Sequence, residues 1–262
     1  KSSSPDPIFL SNDNGDELIL QPIHVNTLFN DYISKCATKQ IIFMSATILN
    51  ARIFCEELGI TKDEVGIIRI DSAFDPNKSP IYYKPVGKMN IKALDSTMPN
   101  IIKAIKIVLN EHPNEKGIIH TGNYKIAHEI IKNIHDDRLL CKTEYETNES
   151  LIKRHISAHN SVLVSASLGT GTDLKDDLSR FQVIIKMPFK SLMDKQVKRK
   201  AEMNADWYAC DMLRAFIQSS GRSTRSESDY STTYVLDSSF GYWILKYKAW
   251  LPKQFMKRII WH

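Results

Sequence analysis

The sequence has no closely spaced pair of cysteines. Cys36, Cys55, Cys141 and Cys210 stand far apart, which leaves no CxxC arrangement for a zinc or iron–sulfur site and no metal site of any kind to expect. Such usage fits an intracellular, reducing compartment (cytoplasm, nucleoid or nucleus) rather than secretion. Long hydrophobic runs are lacking too: Ile41-Ile42-Phe43-Met44 and Val162-Leu163-Val164 fall far below the roughly 18 residues of a membrane span. The chain is therefore expected to be soluble and to have no membrane partner. No Gly-Lys-Ser or Gly-Lys-Thr occurs, so no loop of that type can cradle nucleotide phosphates. Extreme charge is missing as well, because a net charge of +5 and a pI near 8.9 attract phosphate without reaching an arginine-rich composition. The first residue is lysine, not methionine, and the chain reads as a fragment.

What is present is alternation. Short apolar, β-branched runs alternate with stretches of helical period, the pattern of an α/β protein whose largely parallel sheet is flanked by helices on both faces. At 262 residues the chain can hold one large domain of this kind or two smaller ones. Strands are expected over residues 18–20, 41–44, 65–70, 81–86, 117–121, 162–165, 182–187 and 232–236. Pro99 in a first turn, followed by Ile101, Ile102, Ile105, Val108 and Leu109, predicts an amphipathic helix. Further helices are expected over 126–134, 149–159, 207–218 and 242–250. Residues 71–88 carry Pro76, Pro80 and Pro85 and read as a hinge.

In an open parallel sheet, ligands gather beyond the carboxyl ends of the strands, and four places in this chain suit such positions. The first is Gln218-Ser219-Ser220-Gly221-Arg222-Ser223-Thr224-Arg225, at the end of a predicted helix. Gln218, Arg222 and Arg225 share one helical face, and a planar guanidinium suits the charge that spreads over a transferring γ-phosphoryl group. Gly221 admits a close backbone approach. Taken alone, the two arginines read first as a surface helix end with ordinary ion pairs.

The second place runs from Ser165 through Ser167, Thr170, Gly171 and Asp173 to Leu174. Its small and hydroxyl residues suit phosphate or ribose contact, or else a tight turn with a capping Asp. The third is Thr121-Gly122-Asn123-Tyr124 after the 117–121 strand, where a helix N-terminus suits a nucleic-acid phosphate or Asn123 is a plain N-cap. The fourth, Ser45-Ala46-Thr47, says little by itself.

In their order, these signals resemble the later motifs of superfamily 2 helicases, specifically the XPD/DinG family. The run from Phe43 to Leu49 resembles motif III, and Gly117 to Tyr124 resembles motif IV. Leu163 to Leu174, with the strand ending in Pro188-Phe189, resembles motif V. Gln218 to Arg225, continuing to Asp237, resembles motif VI. The resemblance implies a RecA-like helicase C-terminal domain, with residues 1–75 as the tail of a first motor domain and 76–262 as the second motor.

It also implies roles. Arg222 and Arg225, with Gln218 beside them, would reach ATP across an inter-domain cleft. Gly171, Asp173 and Gly221 would lie on the nucleotide side. Thr121, Gly122, Asn123, Tyr124, Ser165 and Ser167 would touch nucleic acid, and Ser45, Ala46 and Thr47 would couple hydrolysis to unwinding. The implied partners are single-stranded or forked DNA, travelled 5′ to 3′ by a monomer, and the N-terminal motor of the same protein. ATP and Mg2+ would be held mainly by that absent motor, which would also carry any iron–sulfur cluster.

Thr170 and Ser239 stand where many relatives carry an acidic residue and an arginine. This keeps open a degenerate domain that binds nucleic acid or a partner without turnover, beside an RNA helicase of the same superfamily. His155 and His159 lie four apart, but Ile156 replaces the glutamate of a zinc protease motif, so a solvated helix face is expected. Trp207, Trp243, Trp250 and Trp261 with Tyr242 and Tyr247 read as core rings, or as surfaces on which bases stack. Lys246, Lys248, Lys253, Lys257 and Arg258 give a basic face suited to phosphates or to solvation.

Overall fold

Apolar runs become strands in this chain only where a neighbouring strand completes their hydrogen bonds. The computed structural model describes residues 8–11, 18–36, 39–166, 174, 176–221, 223 and 229–261. It divides into two units, residues 1–70 with 189–215, and residues 71–188 with 216–262. The break lies beside the proline-rich hinge, whereas 189–215, which the sequence reading put in the second motor, packs with the first unit. Side chains explain that allegiance: the Trp207 indole N–H donates to Glu57 Oε1 at 2.6 Å, and Gln196 Nε2 donates to the Pro22 carbonyl at 2.6 Å.

Strands β1 (Ile8–Ser11) and β2 (Leu18–Gln21) form an antiparallel pair, followed by the short helix α1 (Asn26–Leu28) and by α2 (Ala51–Leu58). The α2 helix starts at Asn50, whose side chain accepts from Ile53 N, and stops at Gly59 with φ +68°. A side chain at Gly59 would be strained in that left-handed conformation, and its Cβ would lie 2.8 Å from Asn26 Cβ. The chain continues through β3 (Ile81–Gly87), α3 (Leu94–Glu111), β4 (Gly117–His120), α4 (Tyr124–Asn133), β5 (Leu139–Cys141), α5 (Asn148–Ser157), β6 (Val162–Ser165) and β7 (Phe181–Ile184). Next come α6 (Lys195–Met203), α7 (Ala205–Ser220), β8 (Thr232–Asp237), α8 (Ser239–Lys246), α9 (Lys253–Lys257) and β9 (Ile259–Trp261).

Strands β3 to β9 form one parallel sheet in the order β5-β6-β4-β7-β8-β3-β9. One face, with Ile119, Val183 and Leu236, packs on Ile101 and Ile105 of α3 and Ile126 and Ile130 of α4. The other face places Ile118 and Leu163 against Leu151 of α5 and Leu174. Each such aliphatic side chain stabilises the fold by about 1.5–3 kcal/mol on full burial. The expected α/β class with helices on both faces is therefore present, and the sheet is fully parallel.

Several local expectations are corrected. Residues 41–44 and 65–70 form no ladder among the described residues, and Ile42, Met44, Ile68 and Ile70 are exposed at 74%, 88%, 88% and 90%. A β-branched run describes a surface that fits a sheet, and without a partner strand it stays open. Pro99 lies inside α3 rather than in its first turn. The helix begins earlier because Asn90 Oδ1 accepts from Ala93 N at 2.9 Å and fixes the chain at its entry. The stretch expected as one helix over 242–250 breaks after Lys246, and a 3-10 turn, Lys248–Trp250, follows. Strands β1, β5 and β9 and helices α2, α6 and α9 had no sequence expectation; they are short or depend on a distant partner.

His155 is fully buried rather than on a solvated face. Its Nε2 lies 2.7 Å from the Leu178 carbonyl, so Nε2 carries the proton, and Nδ1 faces the Ser161 hydroxyl at 2.8 Å. Burial pushes its imidazole below the ordinary value, with a smaller effect from Lys116, itself buried and donating to the Ile156 carbonyl. The unfolded chain therefore binds this proton more readily than the native one, and His155 removes stability as pH falls below its unfolded value of about 6.5. Thermal unfolding should show a lower midpoint at about pH 5.5 than at about pH 7.5, with a shallower dependence in His155→Gln.

Candidate functional site

Parallel pairing sets three strand ends side by side at the carboxyl edge of the sheet. Thr121 N donates to the Ser165 carbonyl at 2.9 Å and Ile185 N to the His120 carbonyl at 3.1 Å. The Thr121 hydroxyl is turned inward, 0% exposed, toward the carbonyls of Asn123 and Ser165. Gly122 follows with φ +73°, a conformation that favours glycine, and an added Cβ would stand 3.4 Å from Lys186 Cβ. Asn123 is an N-cap, its Oδ1 accepting from Ile126 N at 2.8 Å. The exposed groups here are Gly122, Tyr124 and the opening turn of α4, with Tyr124 72% exposed.

This edge thus combines a helix N-terminus, an open aromatic ring and the nearby Lys186, which suits a phosphate with a base stacked beside it. Lys186, expected inside the 182–187 strand, carried no functional role in the sequence reading; β7 ends at Ile184, and its position just after that central strand was the available signal. Ser165 is half-buried and uses its carbonyl to hold Thr121. Ser167, Gly171 and Asp173 lie outside the described residues.

The end of α7 lies elsewhere. The Ser220 carbonyl accepts from Gln182 Nε2 at 3.1 Å and from Arg258 Nη2 at 2.9 Å, and Arg258 Nε donates to the Ser79 carbonyl at 2.7 Å. Ser223 Oγ donates to Ser179 Oγ at 2.7 Å. Ser79, Ser179 and Arg258 stand just before β3, β7 and β9, so this segment is anchored at the amino edge of the sheet. The expectation that all four places lie at carboxyl ends is corrected for this one, because α7 ends at the opposite edge, and for Ser45-Ala46-Thr47, which follows no strand among the described residues.

Desolvation lowers the Arg258 guanidinium to about 10, leaving it charged at neutral pH. Gln218 is exposed on the last turn of α7. Among the described residues, the atom nearest to a Cβ on Gly221 would be the Ile217 carbonyl oxygen at 3.2 Å, a group of its own helix. Arg222 and Arg225 lie outside the described residues.

The segment 176–180 is fixed from three directions. The His155 ring donates to Leu178, Ser223 donates to Ser179, and Arg180 Nη1 holds Asp229 Oδ1 at 2.6 Å. Arg180 also reaches Asp177 Oδ1 at 2.6 Å and the Tyr230 carbonyl at 3.0 Å, and its guanidinium lies 4.2 Å from the Tyr230 ring centroid. The Asp229 side chain is 1% exposed and that of Arg180 13%. This pair therefore ties Arg180, which leads into β7, to Asp229, which follows the arginine-bearing segment.

In the first unit, Thr47 N donates to Ser45 Oγ at 3.1 Å, closing a side-chain turn. Thr47 is buried while Ser45 and Ala46 are exposed. Arg214 clasps this turn, Nε donating to the Thr47 carbonyl at 3.0 Å and Nη2 to that of Ile48 at 3.4 Å. Arg214 was missed in the sequence, where the signal was its place one turn before Gln218 on the same helix. Among the described residues no group of three or more His, Cys, Asp or Glu could hold a metal ion, and no helix is long and apolar enough to cross a membrane.

Removing the anion from a buried pair leaves an uncompensated charge, which costs about 3–5 kcal/mol. Asp177 remains to Arg180 and moderates the loss, so Asp229→Ala should destabilise the second unit by about 3 kcal/mol in urea unfolding. A loss below about 1 kcal/mol, the usual worth of a surface pair, would show that the Arg180–Asp229 anchor is not one.

Comparison with known proteins agrees with this architecture. The profile of the helicase C-terminal domain family matches residues 106–258, more than half of the chain. A curated relative, the ATP-dependent DNA helicase CHL1 of Debaryomyces hansenii, is 23% identical over 201 residues, which are 66% of this chain and 24% of that protein. Among solved structures, Xpd4 of S. tokodaii superposes with a TM-score of 0.63 at 15% identity, covering 94% of this chain and 49% of that one. An XPD helicase gives 0.67 at 16% identity, over 95% and 47%. An apo form of XPD gives 0.67 at 18%, over 89% and 51%. The chain thus spans a quarter of the curated relative and about half of these structures, and its fold is RecA-like. It belongs to the helicase C-terminal domain family, with a fold like that of the XPD structures.

Proposed function

We propose that this chain is the second motor domain of an ATP-dependent DNA helicase, acting with a first motor domain that supplies the phosphate cradle. The observation that carries the reading is the two-edged sheet. An exposed, donor-rich turn with an open aromatic ring sits at the carboxyl edge, and the segment leading into Arg222 and Arg225 is anchored at the amino edge. A motor needs such a division, because one surface must grip a strand while another answers the nucleotide.

Gly122, Asn123 and Tyr124, with Lys186 beside them, would meet the backbone and bases of a single strand. Thr121 and Ser165 shape that turn from within, and Ser167 lies on the same side in sequence. Arg222 and Arg225 would stabilise the charge that develops on the γ-phosphoryl group, with Gln218 ordering their face and Gly171 and Asp173 lining the nucleotide side. Ser45, Ala46 and Thr47, clasped by Arg214, would pass the result of hydrolysis to the strand. The exposed runs 41–44 and 65–70 would pair with the remaining strands of the first motor.

ATP supplies the driving reaction and Mg2+ the counter-charge, and both would rest mainly on that first motor. The residues of this chain fit the answering half of such a site and not the cradle, since no Gly-Lys-Ser or Gly-Lys-Thr is present. Travel from 5′ to 3′ on single-stranded or forked DNA, and action as a monomer inside the cell, belong to the same proposal. The name of the curated relative, an ATP-dependent DNA helicase, supports DNA as the substrate.

In a protein joining this chain to its first motor, Arg222→Ala and Arg225→Ala should each lower strand-stimulated ATP turnover by about 10³-fold. Turnover left intact by both changes overturns the roles given to these arginines. An intact wild type without turnover favours the degenerate binding domain, and stimulation by RNA but not DNA favours an RNA helicase. Tyr124→Ala should weaken single-strand binding by about 5- to 150-fold, the range of one lost base stack, as read by fluorescence anisotropy. The isolated 262-residue chain should hydrolyse no ATP, because arginines without a cradle have no transition state to stabilise.

A further inference from the structure

We propose that Gln182 is a positioning residue that links the turn after β4 to the end of α7, so that strand binding at one edge of the sheet is felt at the other. The inference rests on the motor reading above and assigns a residue which that reading leaves without a role. Gln182 is 0% exposed in a strand whose other residues are Phe181, Val183 and Ile184. A buried amide in such a strand calls for a reason, because an apolar side chain of the same volume satisfies a core at least as well.

Its contacts supply the reason. Gln182 Oε1 lies 3.3 Å from His120 Nε2, and Gln182 Nε2 donates to the Ser220 carbonyl at 3.1 Å and to Thr233 Oγ1 at 3.0 Å. A carbonyl only accepts, so the amide nitrogen faces Ser220, the amide oxygen faces the imidazole, and His120 Nε2 carries the proton. His120 is the last residue of β4, directly before Thr121 and the exposed Gly122–Tyr124 turn. Ser220 is the last residue of α7, directly before Gly221 and Arg222. One side chain therefore touches the residue that adjoins each of the two working segments.

Hydrogen bonding makes this link directional. An apolar contact tolerates sliding, whereas the amide fits one separation of His120 from Ser220. If the end of α7 shifts, either Gln182 follows and moves His120, or a buried amide loses its partner, a penalty that no apolar residue would impose. Thr233, whose backbone pairs with Gln182 on the adjacent strand, holds the amide plane between the two ends.

The test uses the protein that contains both motor domains and compares wild type, Gln182→Met, His120→Phe and the double variant. ATP turnover is measured without DNA and with saturating single strand, and strand affinity by anisotropy. For Gln182→Met, unstimulated turnover and strand affinity should stay within about twofold of wild type while maximal stimulation falls by about tenfold. His120→Phe should reproduce the loss, and the double variant should be no worse than the more severe single one, because both remove the same link. Undiminished stimulation in Gln182→Met overturns the proposal. So does a proportional fall of unstimulated and stimulated turnover, which marks a structural role alone, or multiplication of the two effects in the double variant. A wild type that DNA does not stimulate overturns the motor reading and this link together, whereas a stimulated wild type matched by Gln182→Met overturns the link alone.

Discussion

One carbonyl oxygen organises the working half of this fold. A helix end leaves its last carbonyls without intrahelical partners, and Ser220 at the end of α7 is fully buried. Two side-chain donors answer it, the Gln182 amide and the Arg258 guanidinium. The second is unusual, since desolvation lowers its pKa and it meets backbone carbonyls at Ser79 and Ser220. A charged donor forms a stronger hydrogen bond than a neutral one, which offsets part of the cost of burying it. The result is a helix terminus fixed to β7 through Gln182 and to the entrances of β3 and β9 through Arg258. The chain that continues into Gly221 and Arg222 therefore starts from a defined point.

The same logic governs the neighbouring segment. Loops that carry function gain reach from their length, but their ends must be held by a rigid frame. Residues 176–180 are such a frame, tied by a buried histidine, a pair of serine hydroxyls and an ion pair whose aspartate is almost wholly enclosed. Of these the ion pair carries the most energy, because a buried carboxylate without its guanidinium is far more costly than one lost neutral hydrogen bond. Tyr230 lies against the same guanidinium, so the two chain segments that meet at Arg180 share one anchor.

The first unit is explained by what completes its hydrogen bonds. Arg214 satisfies the carbonyls of the Ser45–Thr47 turn, and Trp207 and Lys200 both engage Glu57. Residues 41–44 and 65–70 have strand composition but form no ladder among the described residues, and Ile42, Ile67, Ile68 and Ile70 are open. A run of this kind gains most of its stability from cross-strand packing.

The class of fold, most strands of the large sheet and the order of four motif-like segments are legible in the amino acids alone. These are local properties: strand pattern, helical period and the residues that follow a strand can be read without knowing which elements meet. Asn123 illustrates this, since its role as a cap follows from its neighbours in the chain. It took the folded chain to set the 121–124 turn and the end of α7 at opposite edges of the sheet, to pack 189–215 with the first unit, and to leave residues 41–44 without a ladder among the described residues. The fold also brought Arg180 to Asp229, Arg258 to Ser220, and Gln182 to both His120 and Ser220. Those contacts join residues 38 to 62 positions apart. Their partners are chosen by strand order and helix packing, which are collective properties of the folded chain and leave no periodic trace in the sequence.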